Sequence, residues 1–207
     1  MIVVGGGLLG AAVAYGAARA STNVCVLDQG DSAFRASRGN FGLVWLHGKG
    51  KTSPDYVRWT KEGLRLWPEL QDELMELTGV DAGLQQPGGF WLGFNEKDVE
   101  ARAVALDKIN QDGGDVPFQM MDRAELKQYL PGLGDAVVGG SFCPLDGQAN
   151  PLMLLRALHA ALKAKGVDIV SGVDVVKVEY DSAAGTFEAF GRDGQRDSTR
   201  AIAGVRV

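Results

Sequence analysis

Three glycines near the N-terminus, in the spacing Gly5-x-Gly7-x-x-Gly10, constrain this chain more than any other feature. They stand between the apolar triplet Ile2-Val3-Val4 and the alanine-rich stretch Leu8–Arg19. The first reads as a short buried strand and the second as a helix packed tightly on a sheet. Residues 23–27 (NVCVL) form a second apolar strand, closed by Asp28. The whole has the size of a βαβ crossover.

Each element of that spacing has a physical task. Gly5 permits the tight turn out of the strand. Gly7, beside Gly6, lets backbone come within hydrogen-bond distance of a pyrophosphate, and Gly10 lets the helix approach the sheet. The amides of Leu8 and Leu9 at the helix N-terminus then face negative phosphates. Asp28 falls where an acid accepts hydrogen bonds from an adenosine ribose. A glycine-rich turn alone is a weak signal, because such turns are common. A strand before it, a helix after it and an acid at the next strand's end make it a site for the ADP half of a dinucleotide.

A nicotinamide dehydrogenase continues as alternating strands and helices through a doubly wound sheet. Here Asp28 is followed by a loop over 31–53, rich in Gly, Ser and Arg. Next come a helix from Asp55 to about Leu66, with Tyr56, Trp59, Gly63 and Leu66 on one face, and a second helical segment restarted by Pro68. A strand or hairpin is expected at 84–94, with Phe90, Leu92 and Phe94 sharing a face. Asn95 caps a helix running to about Gln111, and Asp122 with Glu125 forms a capping box for a short helix ended by Pro131. Residues 137–143 form another strand. Asn150-Pro151 starts a helix that Gly166 terminates. Strands follow at 167–171, 173–180 and 186–190. This interruption favours FAD over NAD, an NAD-dependent enzyme remaining the third reading.

Composition supports a phosphate-binding fold. There are 29 glycines in 207 residues, about twice the ~7% background, with no collagen-like period. A net charge of −5 without a basic run speaks against a nucleic-acid partner. Two histidines, His47 and His159, and two cysteines, Cys25 and Cys143, with no CxxC, give no support for a metal site. The cysteines suit a reducing compartment. The apolar opening lacks the charged start of a signal peptide, and no run reaches the ~18 apolar residues of a membrane span. The expected setting is the cytoplasm, with peripheral contact at the inner membrane left open.

The opening VVGGGLLGAAVAYGAAR…VCVLDQGD, the loop ASRGNFGLVW and the segment DGQANPLMLLRALHAALKAKGVDIVSGVDVVKVE together resemble the D-amino-acid oxidase superfamily of FAD-dependent oxidoreductases. The glycine oxidase, sarcosine oxidase and D-amino-acid dehydrogenase branch is similar, and SRGNFGLVW…GKG is similar to the B subunits of bacterial opine oxidases, to hydrogen cyanide synthase subunits and to hydroxyproline dehydrogenases. The likeness extends to about Val178. It implies an α/β fold: an FAD-binding Rossmann-like domain of the glutathione-reductase type with an inserted, partial β-rich substrate domain. The expected division is 1–80 and 146–207 for FAD and 81–145 for substrate. By this resemblance Ser37, Arg38, Gly39 and Asn40 form the loop beneath the flavin and Val175 lies on the strand whose backbone meets adenine. The implied reaction moves a hydride from the carbon beside an amine to the flavin. The family's returning strand and its C-terminal, carboxylate-binding segment have no match in GQRDSTRAIAGVRV, which implies a truncated product. Two functions follow as expectations: a flavin-dependent amine or amino-acid dehydrogenase or oxidase, or a non-catalytic FAD-binding fragment or subunit that needs a partner chain.

Overall fold

The computed structural model describes residues 1–30, 36–49, 53–193 and 196–206. In chain order the elements are β1 (Ile2–Val4), α1 (Leu8–Arg19), β2 (Cys25–Asp28), β3 (Leu43–Val44) and α2 (Pro54–Thr78). Then come β4 (Gly89–Gly93), α3 (Glu96–Gln111), β5 (Gln119–Asp122), α4 (Arg123–Tyr129), β6 (Gly139–Cys143) and β7 (Gly147–Gln148). The last are α5 (Pro151–Ala164), β8 (Asp168–Ser171), β9 (Val173–Asp181), β10 (Thr186–Asp193) and β11 (Arg196–Arg206). The mixed α/β architecture expected from the sequence is present.

Two compact units divide the chain: residues 1–41, 72–82 and 150–207 form the first, and 42–71 with 83–149 the second. In the first, β1, β2 and β8 make a parallel sheet in the order β1-β2-β8, with Val4 beside Leu27 and Asp28 beside Ser171. The strand ends carrying Gly5, Asp28 and Ser171 therefore share one edge, where ligands bind in parallel α/β sheets. Ala11 and Ala14 of α1 and Ala157 and Ala161 of α5 are fully buried, and the two helices pack together. Small side chains permit that close approach, and Leu158 and Leu162 add about 1.5–3 kcal/mol each by burial. Tyr15 of α1 donates to Glu73 Oε1 at 2.5 Å, and burial first, then Glu73, pushes its hydroxyl pKa up to about 12. β9, β10 and β11 form a separate antiparallel sheet.

The second unit holds the antiparallel sheet β4-β6-β5 and the pair β3-β7. Its core joins Val44, Leu46, Val57, Leu64, Leu106 and Cys143. Helix ends follow local rules. Asn95 Oδ1 accepts from Asp98 N–H, Asp122 and Glu125 close a reciprocal capping box, and Asn150 Oδ1 accepts from the amides of Leu152 and Met153. Gly166, with φ +72°, ends α5.

Three local expectations are corrected. Pro68 does not restart a helix: α2 is continuous through it. An interior proline removes one backbone hydrogen bond, at about 3 kcal/mol; the buried Val57 and Leu64 before it and Leu74 after it hold the helix across the gap. The buried stripe of α2 is Val57 and Leu64, whereas Tyr56, Trp59 and Leu66 are exposed in this chain. Phe94 lies past the end of β4 and is exposed, while Phe90 and Leu92 pack against Met121, Leu126 and Val137.

No helix among the described residues is long and apolar enough to cross a membrane. Cys143 is fully buried, and desolvation, followed by nearby Asp146, pushes its thiol pKa up to about 11. At pH 8 the native chain is expected to leave Cys143 unalkylated by iodoacetamide, and unfolding in urea to expose it. Mass spectrometry of the labelled peptides checks this, and rapid native labelling of Cys143 would contradict its burial.

Candidate functional site

The turn after β1 combines a backbone conformation that favours glycine with hydrogen bonds to β2. Gly5 takes φ +95°, a left-handed conformation that a side chain would strain. Its N–H donates to Leu27 O at 2.7 Å, tying the turn to β2. Asp28 extends this clamp: Gly6 N–H donates to Oδ2 at 2.6 Å and Gly30 N–H to Oδ1 at 2.8 Å. A carboxylate oxygen has more than one acceptor position.

Gly7 is the N-cap of α1 and offers no capping side chain. The Leu8 N–H donates instead to Ser37 Oγ at 2.9 Å, which brings the loop after β2 against the helix start. A Cβ on Gly7 would stand 2.7 Å from that Oγ. On Gly10 a Cβ would stand 1.9 Å from the Gly5 carbonyl oxygen and 3.3 Å from Val3 Cγ1. From α5, His159 Nε2 lies 2.6 Å from the Gly6 carbonyl oxygen. The carbonyl only accepts, so Nε2 carries the proton in this bond.

Together these residues border a cavity of about 670 Å³, within the roughly 300–1,000 Å³ of small-molecule sites. Gly6, Gly7, Asp28, Ser37 and Arg38 line it. Gly5, Leu8, Leu9 and Gly10 form the turn and helix start behind them without being lining residues, and Leu9 is largely exposed. Gly39 and Asn40 continue the loop outside the lining, and Val175 lies on β9, paired with Gly191 and also outside it. Gly30, Arg156, His159 and Ser171, which no sequence motif singles out, complete the wall. A signal was present in the helix pattern: Leu152, Leu155, Arg156 and His159 recur at i, i+3, i+4 and i+7 and share one face.

The residues present fit the ADP half of a dinucleotide. The Leu8 amide, expected to face phosphate, is instead taken by Ser37 Oγ, but the positive helix N-terminus and the Arg38 guanidinium suit a diphosphate. Asp28 suits ribose hydroxyls; a Cβ at Gly10 would collide with the Gly5 carbonyl oxygen, and one at Gly7 would push Ser37 Oγ away from the Leu8 amide.

The second unit contains a buried polar cluster that the sequence did not reveal. Asp146 Oδ1 accepts from the Leu46 N–H at 2.6 Å and the His47 N–H at 3.3 Å, while Oδ2 meets His47 Nδ1. Trp45 Nε1 also points at Nδ1, at 2.8 Å. One nitrogen offers either a proton or a lone pair; the carboxylate is the stronger acceptor, so the proton on Nδ1 goes to Asp146. Arg102 donates to His47 O and, at 3.2 Å, to Ser141 Oγ. Burial lowers its pKa, opposed by the Asp146 charge. His47, Cys143 and Asp146 place ligand-type atoms within 4.8 Å of one another. The carboxylate is nevertheless committed to two amides and an imidazole, with Arg102 balancing its charge. The cluster's task is to fix the 45–47 backbone.

A βαβ unit, a glycine turn clamped by an acid and a cavity at the strand ends define a dinucleotide-binding α/β protein. Residues 1–204 match the family described as FAD dependent oxidoreductase (DAO), and the chain belongs to that family. It is 40% identical over 181 residues to the B subunit of opine oxidase from Rhizobium meliloti, covering 86% of this chain and 49% of that protein. The corresponding opine oxidase chain of Agrobacterium tumefaciens is 41% identical over 168 residues, covering 80% and 45%. The crystal structure of glycine oxidase from Geobacillus kaustophilus superposes with a TM-score of 0.80 at 27% identity, covering 97% of this chain and 52% of the other. The chain thus spans about half the length of the curated relatives it matches.

Proposed function

We propose that the first unit holds FAD, with its ADP half in the cavity at the strand ends. The complete protein then oxidises the C–N bond of an amino acid or secondary amine such as a D-amino acid, glycine or an opine. The single observation that carries this reading is the convergence of the glycine turn, Asp28, Ser37 and Arg38 on one cavity. In this reading Gly6 and Gly7 admit the diphosphate, Arg38 offsets its charge, and Asp28 accepts from the ribose while still clamping the turn. Ser37 holds the Leu8 amide and so sets the mouth of the helix. Gly39 and Asn40 carry the loop onward beneath the flavin, and Val175 offers backbone to adenine. Bound FAD would supply the hydride acceptor; the chain's residues bind and orient it.

The inserted residues 81–145 are assigned to the substrate side, and 1–80 with 146–207 to the cofactor. Similarity to opine and glycine oxidases supports the substrate class. The opine oxidase relatives are chains of a multi-chain enzyme, which supports a second reading: this chain works with a partner and turns over nothing alone. A cytoplasmic or inner-membrane-peripheral setting accords with either. Two titrations and one assay test these readings. FAD is expected to bind and NAD not to bind. Amine-dependent dye reduction by the FAD-loaded chain supports catalysis without a partner. FAD binding with no turnover supports the partner-dependent reading, and NAD binding in place of FAD overturns both.

A further inference from the structure

We propose that Arg156 is a second phosphate-binding group of this cavity, gripping the diphosphate from α5 while the glycine turn and Arg38 hold it from the strand ends; this rests on the FAD reading above. α5 has two working faces. Ala157, Leu158, Ala161 and Leu162 are buried against the first unit's core. Leu152, Leu155, Arg156 and His159 instead line the cavity. A helix stripe of that spacing ordinarily packs into a core. Here it carries a guanidinium, which no core demands.

Arg156 makes no ion pair or hydrogen bond within the described residues, whereas Arg19 of the same unit pairs with Glu73. Its place is fixed by its neighbour. His159 is bonded to the Gly6 carbonyl at 2.6 Å, so α5 is pinned to the turn itself. Arg156 stands three residues earlier on the same face, about 5–6 Å away between Cβ atoms, and α5 runs from the ligand edge of the sheet towards the start of β8. Arg156 therefore lies on the outer, ligand side of His159.

Charge makes the case stronger. The chain carries a net −5, which opposes a dianionic phosphate group, and the cavity contains the Asp28 carboxylate as well. Salt screens the distant charges beyond about 8–10 Å, so the balance is decided by the cations within reach. Arg38 alone offsets one charge; Arg38 with Arg156 matches a diphosphate, and a planar guanidinium can take two of its oxygens at once.

Equilibrium titrations of the purified, flavin-stripped chain test this, using FAD (followed by quenching of flavin fluorescence), ADP and adenosine (followed by calorimetry). Arg156→Met is expected to weaken FAD and ADP about tenfold to a hundredfold and to leave adenosine unchanged. Arg156→Lys is expected to recover part of the loss, as a point charge without the fork. Unchanged ADP affinity in Arg156→Met, or an equal loss for adenosine, overturns the proposal while leaving the FAD reading intact. A wild-type chain that binds neither FAD nor ADP overturns the FAD reading itself, and the assignment of Arg156 with it.

Discussion

Gly10→Ala is expected to lower the stability of the first unit by about 3 kcal/mol or more. The methyl would stand 1.9 Å from the Gly5 carbonyl oxygen, a backbone atom that no rotamer change can move. Relief requires α1 to lift from β1, which opens the contact with Val3 and breaks the turn that Leu27 and Asp28 hold. Typical domains have only about 5–15 kcal/mol in hand. Gly16→Ala, in the same helix, is the control. Nothing lies within 4 Å of its added methyl, and its backbone is helical; the change is expected to stabilise by about 0.5–1 kcal/mol. Urea unfolding followed by circular dichroism measures both, and a Gly10→Ala midpoint equal to wild type would show that the helix does not rest on the turn.

Asp146→Ala is expected to cost the second unit about 3–5 kcal/mol. The carboxylate is fully buried and serves the amides of Leu46 and His47, the His47 ring and the charge of buried Arg102. Alanine leaves two amides unpaired and a guanidinium uncompensated in a place closed to water. Asp146→Asn keeps one acceptor for the amides and loses only the charge, so a smaller loss of about 1–3 kcal/mol is expected. Thermal melts of the two variants against wild type give the order. Equal melting temperatures for all three would mean that the cluster supports nothing.

What could be read from the sequence was local. The strand–glycine turn–helix–strand unit is encoded within residues 2–28, and Gly5, Gly7 and Gly10 each have a conformational or steric reason that a pattern can express. Asn95, Asp122 with Glu125, and Asn150 with Pro151 cap helices through atoms two or three residues away, so their signals lie next to the structure they specify. Features decided by distant contacts were hidden. Pro68 reads as a break, yet tertiary burial on both sides carries α2 through it. Asp146 meets His47 across 99 residues of sequence, and neither looks unusual in its own neighbourhood. β5, the four residues Gln119–Asp122, is too short and too polar to announce itself, and exists because β6 pairs with it. Of the cavity, the glycine turn, Asp28, Ser37 and Arg38 were legible; the α5 face was not, because a stripe of leucines around one arginine and one histidine reads as ordinary helix surface and core.

The visible absorption spectrum of the purified chain with added FAD, after removal of unbound flavin, tests the central claim most directly. Retained flavin bands near ~450 nm in the wild type, lost in Gly7→Val and weakened in Asp28→Ala, are the predicted result. A colourless wild-type chain, or equal flavin retention in all three proteins, would contradict the assignment of this cavity to FAD.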